Sequence, residues 1–384
     1  MLHDLVIVGA GPVGATLALA VSNADLDVVV LDARAKGETT RGDRALALSH
    51  GARLIFERLG VWGAFAAMPG AVTPITAIDI SQAGGFGITR LYARENDLPA
   101  LGYVVSYRAL QAALDAALAR AGVRVRYGIA ATAVGGTPAY ASVECGGGEQ
   151  PILARLAAVA DGTGAAVAGV PRQRHDYEQV AVVAKVWRDV PQDGVAYERF
   201  TPDGPLALLP EGDHYGLVWT ATPERAEALL ALPDAVFLAQ LDRHFAPRVR
   251  GFARLEARRT FPLALEYATA TVGTRCAVLG NAAQTLHPVA GQGFNVGLRD
   301  AFELAQAIID APRDALGTAP MLQRHARGRR ADRWTGIALT HGLVKIFGND
   351  VGFVRWPRGL ALTLLDAIPP AKRAFTRAML FGMR

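Results

Sequence analysis

The sequence predicts an α/β protein: a Rossmann-like domain assembled from separated stretches of chain, an inserted β-sheet block, and helices at the C-terminal end. Three observations carry this expectation. The apolar run Leu5–Val8 leads straight into Gly9-Ala10-Gly11-Pro12-Val13-Gly14 and then into an Ala- and Leu-rich stretch, which reads as strand, glycine turn and helix. A second apolar run, Val28–Leu31, closes on Asp32, roughly 20 residues after the glycines, the spacing at which such a unit sets an acid against a ribose. Far along the chain, Gly280 to Ala301 reads GNAAQTLHPVAGQGFNVGLRDA, with more special residues than a core segment needs.

The glycines have separate tasks. Gly9 permits the tight turn, Gly11 lets a pyrophosphate approach the backbone beside Pro12, and Gly14 allows close helix packing. Asp32, Ala33 and Arg34 end the second strand. No second fingerprint follows, so one tightly held dinucleotide is expected, and any other nucleotide must bind without such a fold. Arg44 precedes Ala45–Ser49 and the apolar positions Leu54, Ile55 and Leu59 of a helix. A cation near a helix start opposes the helix dipole unless it faces an anionic ligand.

Residues 72–91 alternate as strands do, and residues 103–118 return to helical periodicity. Strands are expected over 123–127, 139–145 and 151–159, the last delivering Asp161-Gly162, either a turn or a ligand contact. A β-rich block follows at 179–186, 196–200, 206–209 and 215–220, with a helix over 224–245. Without a nucleotide fingerprint it suits a substrate platform, or plain core sheet. We expect the cofactor fold over 1–71, 101–170 and 269–330, the inserted sheet over 72–100 and 171–268, and a helical tail over 331–384.

In the Gly280 stretch, Cys276–Leu279 is a buried strand that hands Asn281 to a loop. His287-Pro288 and Gly291-Gln292-Gly293 offer much backbone N–H and little side chain. Phe294 and Asn295 then open a helix marked by Leu298, Ala301, Phe302, Ala305, Ile308 and Ile309. Its N-terminus carries unpaired N–H groups and partial positive charge, which favour an anion. His287 titrates near working pH and is a candidate proton acceptor, or a structural histidine fixing the loop.

Composition narrows the function class. The 384 residues are 51% hydrophobic, enough for large buried cores. Two cysteines, Cys145 and Cys276, make neither a disulfide framework nor a metal site, so no metal is expected and a reducing, cytoplasmic setting fits. No signal core or bilayer-length run is seen. A net charge of +5 with dispersed basic residues suits anionic cofactors or an acidic membrane surface better than nucleic acid. The tail, with Leu339, Phe347, Phe353, Trp356, Leu360 and Leu364 before Lys372, Arg373 and Arg377, suits helices packed on the body or lying on a membrane.

With GAGPVG, the strand-end Asp32, RALALS, Asp161-Gly162 and GNAAQTLHPVAGQGFNVGLRD in this order, the chain resembles the group A flavoprotein aromatic hydroxylases. It looks closest to the ubiquinone-biosynthesis branch and its polyprenyl-methoxyphenol hydroxylases. The resemblance spans nearly the whole chain, including FTPDGPLALLP and LVWTATP, and implies FAD, with NAD(P)H as transient cosubstrate. It implies that Gly9, Gly11 and Gly14 hold the pyrophosphate, Asp32 the adenosine ribose, and Arg44 the flavin side. Asp161 and Asn281 would meet the pyrophosphate and ribityl region, and Gly291, Gln292, Gly293, Phe294 and Asn295 would cap the flavin ring. The reaction implied is hydroxylation of a prenylated phenol by O2 through a flavin hydroperoxide, with biosynthetic partners and membrane-surface contact. One departure is that Thr163–Gly169 lacks the serine and arginine many relatives carry, which removes that route for docking nicotinamide. A hydroxylase of small soluble aromatics, an oxygen-independent flavin reductase and a flavin-binding scaffold remain as rivals.

Overall fold

The computed structural model describes residues 1–38, 45–162, 164–348 and 352–383; Arg44 and Thr163 lie outside the described residues. Leu2–Val8 pairs in parallel with Val28–Asp32 on one side and Ile152–Val159 on the other, and Arg124–Tyr127 adds beyond Val28–Asp32. Alternation along the central strand decides what each face buries. Leu5 and Ile7 pack under the helices Pro12–Ala20, Tyr107–Arg120 and Gln292–Ile309, through Leu17, Leu114, Leu298 and Leu304. Val6 and Val8, with Val29 and Leu31, pack against Val134 and Val143 of an antiparallel meander. Cys276–Val278 then returns to the sheet, parallel to Ile152–Val159.

A second sheet runs in the order Gln284–Thr285, Arg259–Ala268, Arg172–Arg188, His214–Ala221, Gly204–Glu211, Val195–Thr201, Ala77–Gln82 and Ile88–Tyr92. Helices Pro223–Ala231 and Asp234–Phe245 cover one face, burying Tyr197, Leu206, Leu208, Tyr215 and Trp219. The other face turns toward the Gly280 stretch. A small antiparallel sheet of Ala45–Ser49, Gly102–Ser106 and Val72–Ile75 stands beside it.

Two expected helices change. Gly102–Ser106 is a strand, and the helix starts at Tyr107, where the Ser106 hydroxyl accepts the Ala109 N–H at 3.1 Å. The β-branched pair Val104-Val105 favours the strand and the serine favours a cap. The helix expected over 224–245 is two, because Pro233 holds Leu232 in extended backbone.

The helix Ala319–Phe347 runs 29 residues and begins well before the tail boundary expected at 331. A buried ionic network holds it. Arg329 donates to Asp300 at 2.7 Å and to Asp332; Asp332 also accepts from Arg299 at 2.7 Å, and Asp300 from Gln284 at 3.1 Å. Lys372, counted with the basic tail, is instead paired with Glu95 and Asp366, each at 3.1 Å. Among the described residues no helix is long and apolar enough to cross a membrane.

Candidate functional site

The glycine turn closes at the C-terminal end of the first sheet, where a doubly wound fold leaves a crevice. Gly9 has a φ of 98°, and a Cβ there would lie 2.7 Å from the Ala160 carbonyl oxygen; one on Gly14 would lie 1.9 Å from the Gly9 carbonyl oxygen. These two positions therefore exclude larger residues through the protein itself. Gly11 differs: a Cβ there meets nothing within 4 Å among the described residues. It caps the helix Pro12–Ala20 with no side-chain hydrogen bond, so the first-turn N–H groups face an open cradle.

Asp32 is buried and heavily engaged. Its carboxylate accepts the Ala10 N–H at 2.8 Å, the Arg34 N–H at 2.8 Å and the Arg34 guanidinium at 3.1 Å. Arg34 also reaches Asp115 at 3.3 Å, while Ala33 is exposed. Arg34 thus serves Asp32. Across the turn, Asp161 accepts the Ala165 N–H through Oδ2 at 2.8 Å, whereas its buried Oδ1 has no partner among the described residues. Burial raises the Asp161 pKa. Gly162 follows in a left-handed turn, and Asn281 is exposed, with its carbonyl held by Arg172 at 3.2 Å. An open glycine cradle, a free helix end and an orphaned carboxylate oxygen on the same turn fit the diphosphate and hydroxyls of FAD.

The Gly280 stretch is drawn against this crevice by a close approach that the sequence reading did not single out. A Cβ on Gly297 would lie 2.8 Å from Gly280 Cα, so the helix Gln292–Ile309 packs hard on the strand end. Asn295 was expected to meet the flavin ring; its side chain is instead spent on the protein. It accepts the Ser49 N–H at 2.8 Å and donates to the Gly291 carbonyl at 2.7 Å and the Ala47 carbonyl at 3.1 Å. Asn295 therefore ties the loop to the Ala45–Ser49 strand. Gly291 caps the helix, again with no side-chain hydrogen bond, and Gln292 is buried, with Gly293 and Phe294 partly so.

His287 is buried, and its Nδ1 accepts the Val289 N–H at 3.2 Å, which places the ring proton on Nε2. That Nε2 is sealed from solvent without a partner among the described residues. Burial lowers the pKa to about 4, so the ring is neutral at pH 7 and presents a donor.

Pro288, Val289 and Gly291 with His287 form one wall of a cavity of about 120 Å³. Ala47, Ile75 and Ile78 add to it, and the second sheet supplies Ala196, Glu198, Ala207, Leu209, Val218 and Thr220. This volume is below the roughly 300–1,000 Å³ that encloses drug-sized ligands. Glu198 and Thr220 were missed by the sequence reading. The available signal was phase: Glu198 alternates with Ala196 and Phe200 along a strand, which puts a carboxyl on an inward face.

The profile of the family described as FAD binding domain matches residues 3–332. A ubiquinone hydroxylase, UbiL, of Rhodospirillum rubrum is 33% identical, with 97% of this chain and 88% of that protein covered. The 3-demethoxyubiquinol 3-hydroxylase of Escherichia coli is 31% identical, with 96% of each chain covered. Among solved structures, p-nitrophenol 4-monooxygenase from Pseudomonas putida shares the fold with a TM-score of 0.78 at 17% identity, covering 100% of this chain and 99% of that one.

Proposed function

The chain belongs to the FAD-binding-domain family, in its ubiquinone-biosynthesis hydroxylase branch, and from that premise we propose that it hydroxylates the ring of a polyprenylated (methoxy)phenol, consuming O2 and NAD(P)H. The observation that carries this reading is the small, mostly apolar cavity between the inserted sheet and the His287–Gly291 loop. Its size and apolar walls suit a single ring, and it stands against the loop that the family resemblance sets over the flavin. Backbone N–H groups of Gly11, Val13 and Gly14, with Asp161 and Asn281, would hold the dinucleotide, and the end of the helix at Gly291–Phe294 would face its ring. FAD, when bound, supplies the activation of O2 and the transfer of one oxygen atom. The protein's share is to hold the ring beside it, to keep the cavity dry and to place donors such as His287 Nε2 where charge develops.

Oxygen uptake by the FAD-loaded protein with NADH or NADPH tests this, with and without a short-chain prenylated methoxyphenol and with mass analysis of the product. Uptake stimulated by the phenol, with one oxygen atom added to the ring, is expected. Flavin reduction without oxygen transfer would instead identify a reductase, and hydroxylation only of small soluble phenols would identify a catabolic enzyme.

A prenylated substrate suits a protein that meets a membrane surface, and one exposed stripe supports that contact. Trp356, Leu360, Leu364 and Ile368 recur every four residues, are 74, 52, 47 and 45% exposed, and Phe86 packs against Trp356 at 5.0 Å. Trp356→Ser with Leu360→Ser is expected to reduce sedimentation with anionic liposomes; an unchanged bound fraction would rule the stripe out. Deleting the chain after Ile368 is a poorer test, since it removes Leu380 and Phe381, which pack on Gly51 and His50.

A further inference from the structure

We infer that Glu198 is a catalytic residue of this hydroxylation: it hydrogen-bonds the substrate's ring hydroxyl and takes its proton. The inference rests on the proposed function and deepens it by naming the group that activates the phenol. Its warrant is the inner wall of the cavity. Glu198 stands opposite Ala207 and Ala207 opposite Val218, and Thr220 lies two residues beyond Val218 on its strand, so Glu198 and Thr220 share one face of the sheet. Only small or apolar side chains separate them. Glu198 Oε1, Thr220 Oγ1 and His287 Nε2 are each sealed from solvent without a hydrogen-bond partner among the described residues, and all three residues line the same cavity. A buried polar group left unmade is costly, and three of them on residues that line one cavity point to a polar ligand atom there. The remaining walls are apolar, as a ring requires.

Among the described residues the neighbouring charged and titratable groups are engaged elsewhere. On its own strand Tyr197 and Arg199 point to the opposite face, where the Tyr197 hydroxyl meets Asp193 at 3.4 Å and Arg199 meets Ser81 at 3.3 Å. Ile80 and Ala207 stand abreast on the flanking strands. Across the cavity His287 is neutral, and Tyr177 behind it is bonded to His341 at 3.1 Å. Further along the face Phe200 stacks on Phe347 at 4.1 Å, and Arg358 lies over the Phe347 ring. Burial, with no counter-charge beside it among the described residues, pushes the Glu198 carboxyl up to about 8. A carboxylate of ordinary pKa is a feeble base toward a phenol near 10; one raised by burial is far better matched.

In this step the ring O–H bond breaks, the proton passes to a Glu198 carboxylate oxygen, and the bonding pair stays on the ring oxygen. His287 Nε2–H and the Thr220 hydroxyl donate to the developing anion. The electron pair enriches the ring carbons, one of which accepts the oxygen atom. That carbon then loses its hydrogen to solvent as a proton, and Glu198 returns its proton to the ring oxygen.

The test uses the FAD-loaded protein and a short-chain prenylated methoxyphenol. In the unaltered protein the difference spectrum of the bound phenol is expected to gain a phenolate band as pH rises through about 8, the Glu198 value, with kcat rising in parallel. Glu198→Gln is expected to lose both signatures and roughly 10²–10⁴-fold in kcat. Its flavin content and thermal midpoint are expected to match or exceed those of the unaltered protein, since an unpaired buried carboxyl is removed. A Glu198→Gln enzyme with the same pH profile and rate would overturn the inference, as would an unaltered protein whose bound phenol shows no phenolate limb. Glu198→Asp, which keeps the carboxyl, is expected to restore part of the rate. Failure to hydroxylate any phenol would instead strike the proposed function, and the two failures are told apart by the product analysis.

Discussion

Arg329→Ala is expected to destabilise the protein by about 3–5 kcal/mol, because it strands the Asp300 carboxylate in the interior and takes one of two cationic partners from Asp332. Arg329, Asp300 and Asp332 are 6, 5 and 3% exposed, so water cannot replace the lost guanidinium without opening the packing. Asp332 keeps Arg299, but Asp300 is left with the Gln284 amide. In a chain of 384 residues the thermal midpoint should fall by roughly 4–6 °C. Arg330→Ala, an exposed neighbour on the same helix, should stay within about 0.5 kcal/mol of the unaltered protein. Differential scanning calorimetry of the two variants decides the matter, and equal midpoints would mean the network contributes nothing. Asp300 lies on the Gln292–Ile309 helix whose first turn faces the proposed flavin site, so flavin retention should decline with stability.

Gly11→Val is expected to separate cofactor binding from folding. Its backbone, at φ −64° and ψ 175°, is open to any residue, and a Cβ there touches nothing within 4 Å among the described residues. The added side chain would occupy only the cradle where the pyrophosphate comes near the helix end. Overfilling such a contact costs roughly 1–3 kcal/mol, so FAD should bind about 10–100-fold more weakly. The apoprotein should unfold at nearly the same temperature as the unaltered apoprotein. Flavin absorbance per protein after gel filtration reads the first effect and thermal unfolding of apoprotein the second. Full flavin retention would show that the cradle does not take the cofactor. Gly14→Val should behave differently, since a Cβ there collides with the Gly9 carbonyl at 1.9 Å and disturbs the fold itself.

The glycine turn was legible because its logic is local. Strand, turn, helix and the acid of the next strand fall within about thirty residues, a unit whose geometry follows from chain connectivity and glycine sterics. The Gly280 loop and its helix were legible for the same reason. Side-chain assignments that depended on distant partners fared less well. Asn295 reads as a ligand contact until Ser49, 246 residues earlier, is found against it. Lys372 reads as part of a basic tail until Glu95 and Asp366 are found around it. Arg34 stands two residues from Asp32, yet its bond to Asp115 depends on a helix 81 residues on.

The sequence by itself determined the α/β class, the glycine turn at the end of the first sheet, and the loop that opens onto a helix N-terminus. These follow from hydrophobic period and backbone sterics, which act over a few neighbouring residues. Tertiary structure alone decided which face of the inserted sheet meets the cofactor domain. Phase puts Glu198 on the same side of its strand as Ala196 and Phe200, but in a strand buried on both sides it does not say which layer that side meets; here two helices cover the Tyr197 face and leave the face of Glu198, Ala207 and Thr220 to the cavity. A carboxyl can be read from the chain, but whether it stands unpaired beside a ring-sized cavity depends on what the rest of the fold brings against it.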